Sequence, residues 1–411
     1  MSSTNKRVRN NKSQYLFMYL MQFLLSIICI ITLSFYFNYL LQKSMHEEFS
    51  LFNTQLFLFE STLYQTSILV ILFLFLWSLT GRYLISLLLF STSILGLVYA
   101  NHQKFLQRNE PIYPNELIEI FNIKELTSMI NLQQFALYIL YFLVATFLVV
   151  LYYWKVKPRV TSIKKESLQN NAEYNFLHIK KRVIRIIRLI TLVATSVLLF
   201  LSLNFNNNKV IKRIIHLDDK IQGAYNPREV YTNYGFITGF LYHTKANPMP
   251  NTPNYSKQAL SDIEDRYQNK VNNINKERTS YFDEQKIVYV LSESFSDPSK
   301  IPLLNIYSTP VPQVLGLKNS TFSGTMLANS IGGGTANIEY SVLTSLNVNL
   351  FNAQMTIPYT TLLPNQDRIT SVLNLFEEPT AYTIHPYTPN FYRRKEALNS
   401  LGFKKFRLFV K

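Results

Sequence analysis

Two short stretches carry residues whose types and spacing suit phosphate chemistry. The first runs from Lys286 through Val288, Val290, Ser292, Glu293 and Ser294 to Asp297, a β-branched and apolar run that stops abruptly in small polar and acidic residues. Such a run predicts a buried parallel strand, and open α/β sheets place ligands just beyond the carboxyl ends of their strands. Glu293 then stands where a carboxylate can hold a hard cation; the plainer reading makes it a helix cap or a solvated turn residue. The second stretch, residues 329–346, carries Gly332, Gly333 and Gly334 directly before Thr335. Consecutive glycines let the backbone approach a ligand closely, and Ile338, Val342 and Leu343 have helical spacing. Thr335 is therefore expected at a helix N-terminus, among free amide groups that favour a phosphate and, beside a cation, lower the pKa of a hydroxyl. The competing reading leaves Thr335 as an N-cap after a flexible loop.

These residues need elements to position them, and composition divides the elements in two. Of 411 residues 48% are hydrophobic and only 16% charged, and nearly all the long apolar runs precede residue 204. A bilayer core requires about 20 apolar residues per helix. Five runs meet that length: 16–41, 61–80, 83–100, 134–154 and 183–203. Gly81 and Arg82 make a tight turn between the second and third, and Arg185 and Arg188 near the start of the fifth must snorkel or shorten the span. The first run is too long for a cleavable signal peptide and reads as a retained span.

Charge sets the expected orientation. With the N-terminus cytoplasmic, inside segments carry fifteen basic residues, ten of them between Lys155 and Arg188, whereas outside loops 42–60 and 101–133 carry four basic and seven acidic ones. The positive-inside rule then places residues 204–411 outside a cell membrane. It also accounts for the net charge of +16 through basic loops meeting anionic lipid, without a nucleic-acid partner. Cys29, the single cysteine, lies within the first run, so neither an intramolecular disulfide nor a cysteine metal cluster forms. Asn206 to Asn208 and Ala246 to Tyr255 read as linker, and residues 256–280 as polar helix leading into a globular domain.

The five-span anchor, the run ending in Ser292-Glu293-Ser294, and Gly332-Gly-Gly-Thr-Ala-Asn337 followed by a helix together resemble the lipoteichoic acid synthase family. Its members are membrane phosphoglycerol transferases with a sulfatase- or alkaline-phosphatase-like catalytic domain. The resemblance implies that Glu293 is a manganese ligand and Thr335 both ligand and nucleophile. It extends to the segment from His385 to Arg394, similar to the family's substrate-binding stretch, with His385, Tyr392 and Arg394 in the substrate-contacting positions. Tyr392 stands where the family usually has tryptophan. The loop Arg108 to Glu116 is also similar to the family's loop between the third and fourth spans.

The fold so implied is an all-α five-helix transmembrane domain (1–204), a juxtamembrane linker with helices (205–280), and an incomplete extracellular α/β domain (281–411). The implied reaction moves glycerophosphate from phosphatidylglycerol to a glycolipid or glycerophosphate polymer through a threonine-bound intermediate, with Mn2+ or Mg2+ as cofactor. Family members complete the metal site with an Asp-His pair and another histidine downstream of the stretch matching His385. No such pair follows in the residues up to Lys411, so a C-terminally truncated chain of impaired activity is expected. Phosphoethanolamine transfer is a close variant. A degenerate, non-catalytic relative binding lipid or a partner synthase is the reading from another class, and a transporter a weaker third.

Overall fold

Apolar runs of this length satisfy their backbone polar groups only as helices once water is excluded. In the computed structural model each of the five runs is helical: α1 (Ser2–Lys43), α2 (Phe59–Thr80), α3 (Tyr83–Arg108), α4 (Leu132–Leu151) and α5 (Asn171–Leu203). The structure describes residues 2–45, 59–121, 131–152, 154, 171–217, 228–245, 247–249, 252–279, 286–292, 295, 297–304, 306, 308, 310–324, 326, 334–352, 354–366, 369–386 and 389–408. Each of the five helices contains a segment long and apolar enough to cross a membrane, so the chain is a membrane protein. Two compact units result, Met1–Gln222 with Pro227–Ala246, and Gly223–Asn226 with Asn247–Lys411.

In the first unit α1, α2 and α3 pack around Phe37, Phe73 and Phe90, whose rings meet at 5.4 and 5.6 Å. No residue of α4 is buried, which suits an apolar surface whose solvent is lipid. Arg188 of α5 donates to the carbonyls of Ser78 (2.8 Å) and Leu79 (3.2 Å). The cation thereby satisfies carbonyls left open in the last turn of α2 and meets the negative end of its dipole. Gly81, at φ +62°, leaves room for that guanidinium.

Residues after 204 join this unit more tightly than a linker would. The expectation of a loose segment at Asn206 to Asn208 is corrected: Asn206 donates to the carbonyls of Tyr242 (2.7 Å) and Lys245 (3.2 Å), while Asn208 caps the next helical turn. Polar side chains read as low-propensity turn formers here supply the bonds that end one helix and start another. Two short helices follow, α6 (Glu229–Tyr234) and α7 (Phe236–Tyr242), with Tyr231 and Phe236 fully buried among the bundle's aromatic rings. Gln65 of α2 holds their corner, accepting from the Ile237 amide (3.1 Å) and from Gln42 (3.0 Å) while donating to the Tyr234 carbonyl (3.1 Å). The loop after α3 is fastened by Lys104, which donates to both oxygens of Glu116 (2.8 and 2.6 Å) and to the Pro111 carbonyl (2.6 Å).

The second unit begins with Asn247 and Pro248 bonded to Gln354 and Asn352, so this part of the expected linker is also fixed. Helix α8 (Lys257–Lys276) starts at the N-cap Ser256 and buries none of its residues. Beyond it lie α9 (Thr335–Thr344), β1 (Tyr382–His385), α10 (Arg394–Ser400) and β2 (Lys405–Leu408). The strands pair in parallel, Tyr382 opposite Lys405 and His385 opposite Leu408, and α10 lies within the crossover that parallel pairing requires. Ala336, Tyr340 and Leu343 of α9 pack with Met355, Tyr359, Tyr392 and Leu398 into one core.

The expected buried strand at 286–291 is a correction. Lys286 to Ser292 carries no strand pairing, and Val288 and Val290 are 80% and 83% exposed. A parallel strand needs ladder partners and covered faces. Among the described residues the only sheet is β1 with β2, and helical residues far outnumber strand residues, so the expected α/β character is only weakly present.

The Gly235 corner yields a direct test. At φ +91° and ψ 166° its backbone is open essentially to glycine alone, and a Cβ there would lie 2.3 Å from Gln65 Nε2 and 2.4 Å from Gln42 Nε2. Gly235→Ala is expected to destabilise the first unit by about 1–3 kcal/mol or more. Thermal unfolding of the detergent-solubilised chain reads this, and an unchanged midpoint would contradict the described corner.

Candidate functional site

Helix α9 begins where the glycine run ends. Gly334 takes the N-cap position at φ +71°, left-handed backbone that glycine adopts without a Cβ penalty, and Thr335 is the first helical residue. The N-cap reading of Thr335 is thereby removed, because Gly334 occupies that place. Thr335 is half-buried, at the end of the helix where amide groups lack helical partners. Inward-facing positions are Ala336, Tyr340 and Leu343, at spacings of four and three; of the apolar residues expected to define the face, Leu343 is buried but Val342 is exposed. Asn337, also buried, donates to the Thr356 carbonyl at 3.0 Å and pins this first turn to the following segment.

Four residues beyond Thr335, Glu339 lies on the same helical face, since side chains at i and i+4 are neighbours. Its carboxylate accepts a hydrogen bond from Arg394 Nε at 3.0 Å, in an ion pair whose side chains are 16% and 4% exposed. Arg394 opens α10 directly after two non-glycine residues in left-handed backbone, Tyr392 at φ +56° and Arg393 at φ +52°. Strain of this kind costs of order 1–3 kcal/mol per residue and persists where surroundings over-determine it. Tyr392 is buried against Phe391, ring centres 4.2 Å apart, and the Arg394 guanidinium lies 5.9 Å from the Tyr392 ring. Tyr359, fully buried, completes the cluster; burial pushes its hydroxyl pKa well above the ordinary tyrosine value, the Glu339 charge adds to the rise, and Arg394 opposes it.

Of the residues singled out from the sequence, the structure thus links the Thr335 helix with Tyr392 and Arg394. His385 ends β1, half-buried, its ring 6.2 Å from Phe406. Glu293, together with Gly332 and Gly333, lies outside the described residues. Among the described residues no group of three or more His, Cys, Asp or Glu side chains is placed to hold a metal ion. Sequence reasoning missed Glu339 and Tyr359. A carboxylate one helical turn after a candidate nucleophile was the available signal for the first, but its partner is 55 residues away in the chain. No comparable signal marked Tyr359.

Residues 285–411 match the sulfatase family model. A putative cyclic beta-1,2-glucan modification protein of Rhizobium meliloti (strain 1021) is 30% identical over 131 residues, covering 31% of this chain and 19% of that protein. The match therefore spans about a fifth of that relative's length. Among solved structures, the Streptococcus pyogenes phosphoglycerol transferase GacH in complex with sn-glycerol-1-phosphate shares 32% identity over 40% of this chain and 43% of its own, with a TM-score of 0.38.

Burial of Tyr359 carries a pH dependence. Its folded pKa is raised above the unfolded value of 10.0, so its contribution to stability is complete below that value and is lost as pH rises through and beyond it. Denaturant unfolding from about pH 9 to pH 11 is expected to show falling stability, with a shallower fall in Tyr359→Phe. Parallel profiles for the two proteins would place the Tyr359 hydroxyl in water rather than in the core.

Proposed function

We propose that this chain, a sulfatase-family protein over residues 285–411 anchored by membrane-crossing helices, is a transferase that moves glycerophosphate from phosphatidylglycerol to a hydroxyl-bearing acceptor. The observation that carries this reading is the place of Thr335: first residue of α9, after a left-handed glycine, within the sulfatase-matching segment, its hydroxyl not required as the helix cap.

In the proposed cycle Thr335 Oγ attacks the phosphorus of phosphatidylglycerol. An Oγ–P bond forms, the bond from phosphorus to the diacylglycerol oxygen breaks, the hydroxyl proton leaves Oγ, and the departing oxygen gains a proton. An acceptor hydroxyl then attacks the same phosphorus: the acceptor O–P bond forms, the Oγ–P bond breaks, the acceptor hydroxyl loses its proton, and Thr335 Oγ regains one. The helix N-terminus offers its amide groups to the phosphate oxygens. Arg394 adds a cation suited to a phosphate, while Tyr392 and His385 are the proposed contacts to the glycerol portion. Glu293 and Thr335 are the proposed ligands of Mn2+ or Mg2+, which when bound supplies neutralisation of phosphate charge.

A lipoteichoic-acid-type polymer or its glycolipid primer is the proposed acceptor. The glucan named in the description of the Rhizobium relative supports a carbohydrate hydroxyl as the broader class. A lipid donor suits a catalytic unit carried on membrane helices, and the basic inner loops support a cell-membrane location with the N-terminus cytoplasmic and residues 204–411 outside.

Membranes containing the chain are expected to release diacylglycerol from labelled phosphatidylglycerol in the presence of Mn2+, and to lose that release on chelation. Thr335→Ala is expected to lower the rate by at least about 10³-fold, as removal of a covalent nucleophile does. Equal release by the two proteins would refute Thr335 as the nucleophile.

A further inference from the structure

The geometry points to Glu339 as a positioning residue that aims the Arg394 guanidinium at a phosphate held at Thr335. This inference rests on the transferase reading and adds to it a residue that touches no substrate.

Three features support it. Thr335 and Glu339 are one turn apart on one face of α9, so whatever Glu339 grips is brought to the face that carries the Thr335 hydroxyl. The grip is by Nε alone, at 3.0 Å, which leaves the two terminal nitrogens and most of the N–H donors of the guanidinium outside that bond. Finally, a buried ion pair adds little net stability over apolar side chains of similar volume, whereas its planar donor geometry fixes direction. The left-handed pair Tyr392 and Arg393 bends the chain immediately before Arg394, delivering its side chain into the core where Glu339 waits. Tyr359, fully buried, lies close enough to the pair for both charges to act on its hydroxyl. Without Glu339 the guanidinium is a buried cation free to turn toward other acceptors, and an anion at Thr335 would have to reorient it on binding.

The test is a double-mutant cycle read by calorimetric titration of the full detergent-solubilised chain with glycerol phosphate as probe. Glu339→Ala and Arg394→Ala are each expected to weaken binding by about tenfold or more, the worth of a charge-assisted hydrogen bond to an anion. The double variant is expected to bind no worse than Arg394→Ala alone, because Glu339 acts only through that side chain. Should Glu339→Ala fail to fold around its unpaired arginine, Glu339→Gln replaces it in the cycle, with the same expectation that its effect vanishes on the Arg394→Ala background. A Glu339 change that leaves binding within about twofold of wild type, or keeps its full factor when Arg394 is absent, overturns the positioning role alone. A wild-type chain that binds no glycerol phosphate overturns the transferase reading and this proposal with it.

Discussion

The bond between Arg394 Nε and the Glu339 carboxylate is the contact around which the second unit is organised. Neither group tolerates burial by itself: a lone charge in the interior costs several kcal/mol, whereas the pair offsets that cost through Coulomb attraction and a charge-assisted hydrogen bond. The helix that begins at Thr335 and the turn that leads from β1 into α10 are therefore held together by mutual need. Apolar contacts among Tyr340, Tyr359, Tyr392 and Leu398 fill the space around the pair. They supply cohesion but little direction, since hydrophobic burial is non-directional. The ion pair supplies the direction.

The same logic shapes the first unit in a different solvent. Its helices present apolar surface outward, and their polar groups are consumed at the ends. Arg188 closes the last turn of α2, Gln65 holds the corner between α6 and α7, and Lys104 with Glu116 ties down the loop after α3. Burial raises the carboxyl pKa of Glu110 beside that lysine, and the Lys104 charge pulls it back. In each case a long polar side chain reaches a backbone group that its own element leaves unsatisfied, as exclusion of water demands.

Some of this was readable in advance because the governing constraint is local. A span needs about twenty apolar residues, and that count is visible without knowing any neighbour. Consecutive glycines open the left-handed backbone at no Cβ penalty, and Gly334 before Thr335 marks the N-terminus of α9. Other expectations failed where the constraint was not local. Val288 and Val290 have strand character, yet strand formation depends on ladder partners, and the run from Lys286 to Ser292 has none among the described residues. Asn206 to Asn208 reads as linker by propensity, but the carbonyls of Tyr242 and Lys245 lie 36 and 39 residues further on, and they turn it into a fastening.

By itself, then, the amino-acid sequence determined the membrane helices, the tight turn at Gly81 and Arg82, the helix start at Thr335, and a motif set resembling membrane phosphoglycerol transferases. Each depends on residues close together in the chain, where length, periodicity and backbone freedom act directly. Only the tertiary structure decided that Arg394 meets Glu339, that Tyr359 is buried within range of both, and that α6 and α7 pack into the bundle with the spans. Those outcomes depend on which buried polar group finds which partner across long separations, and that choice is made by packing rather than by local propensity.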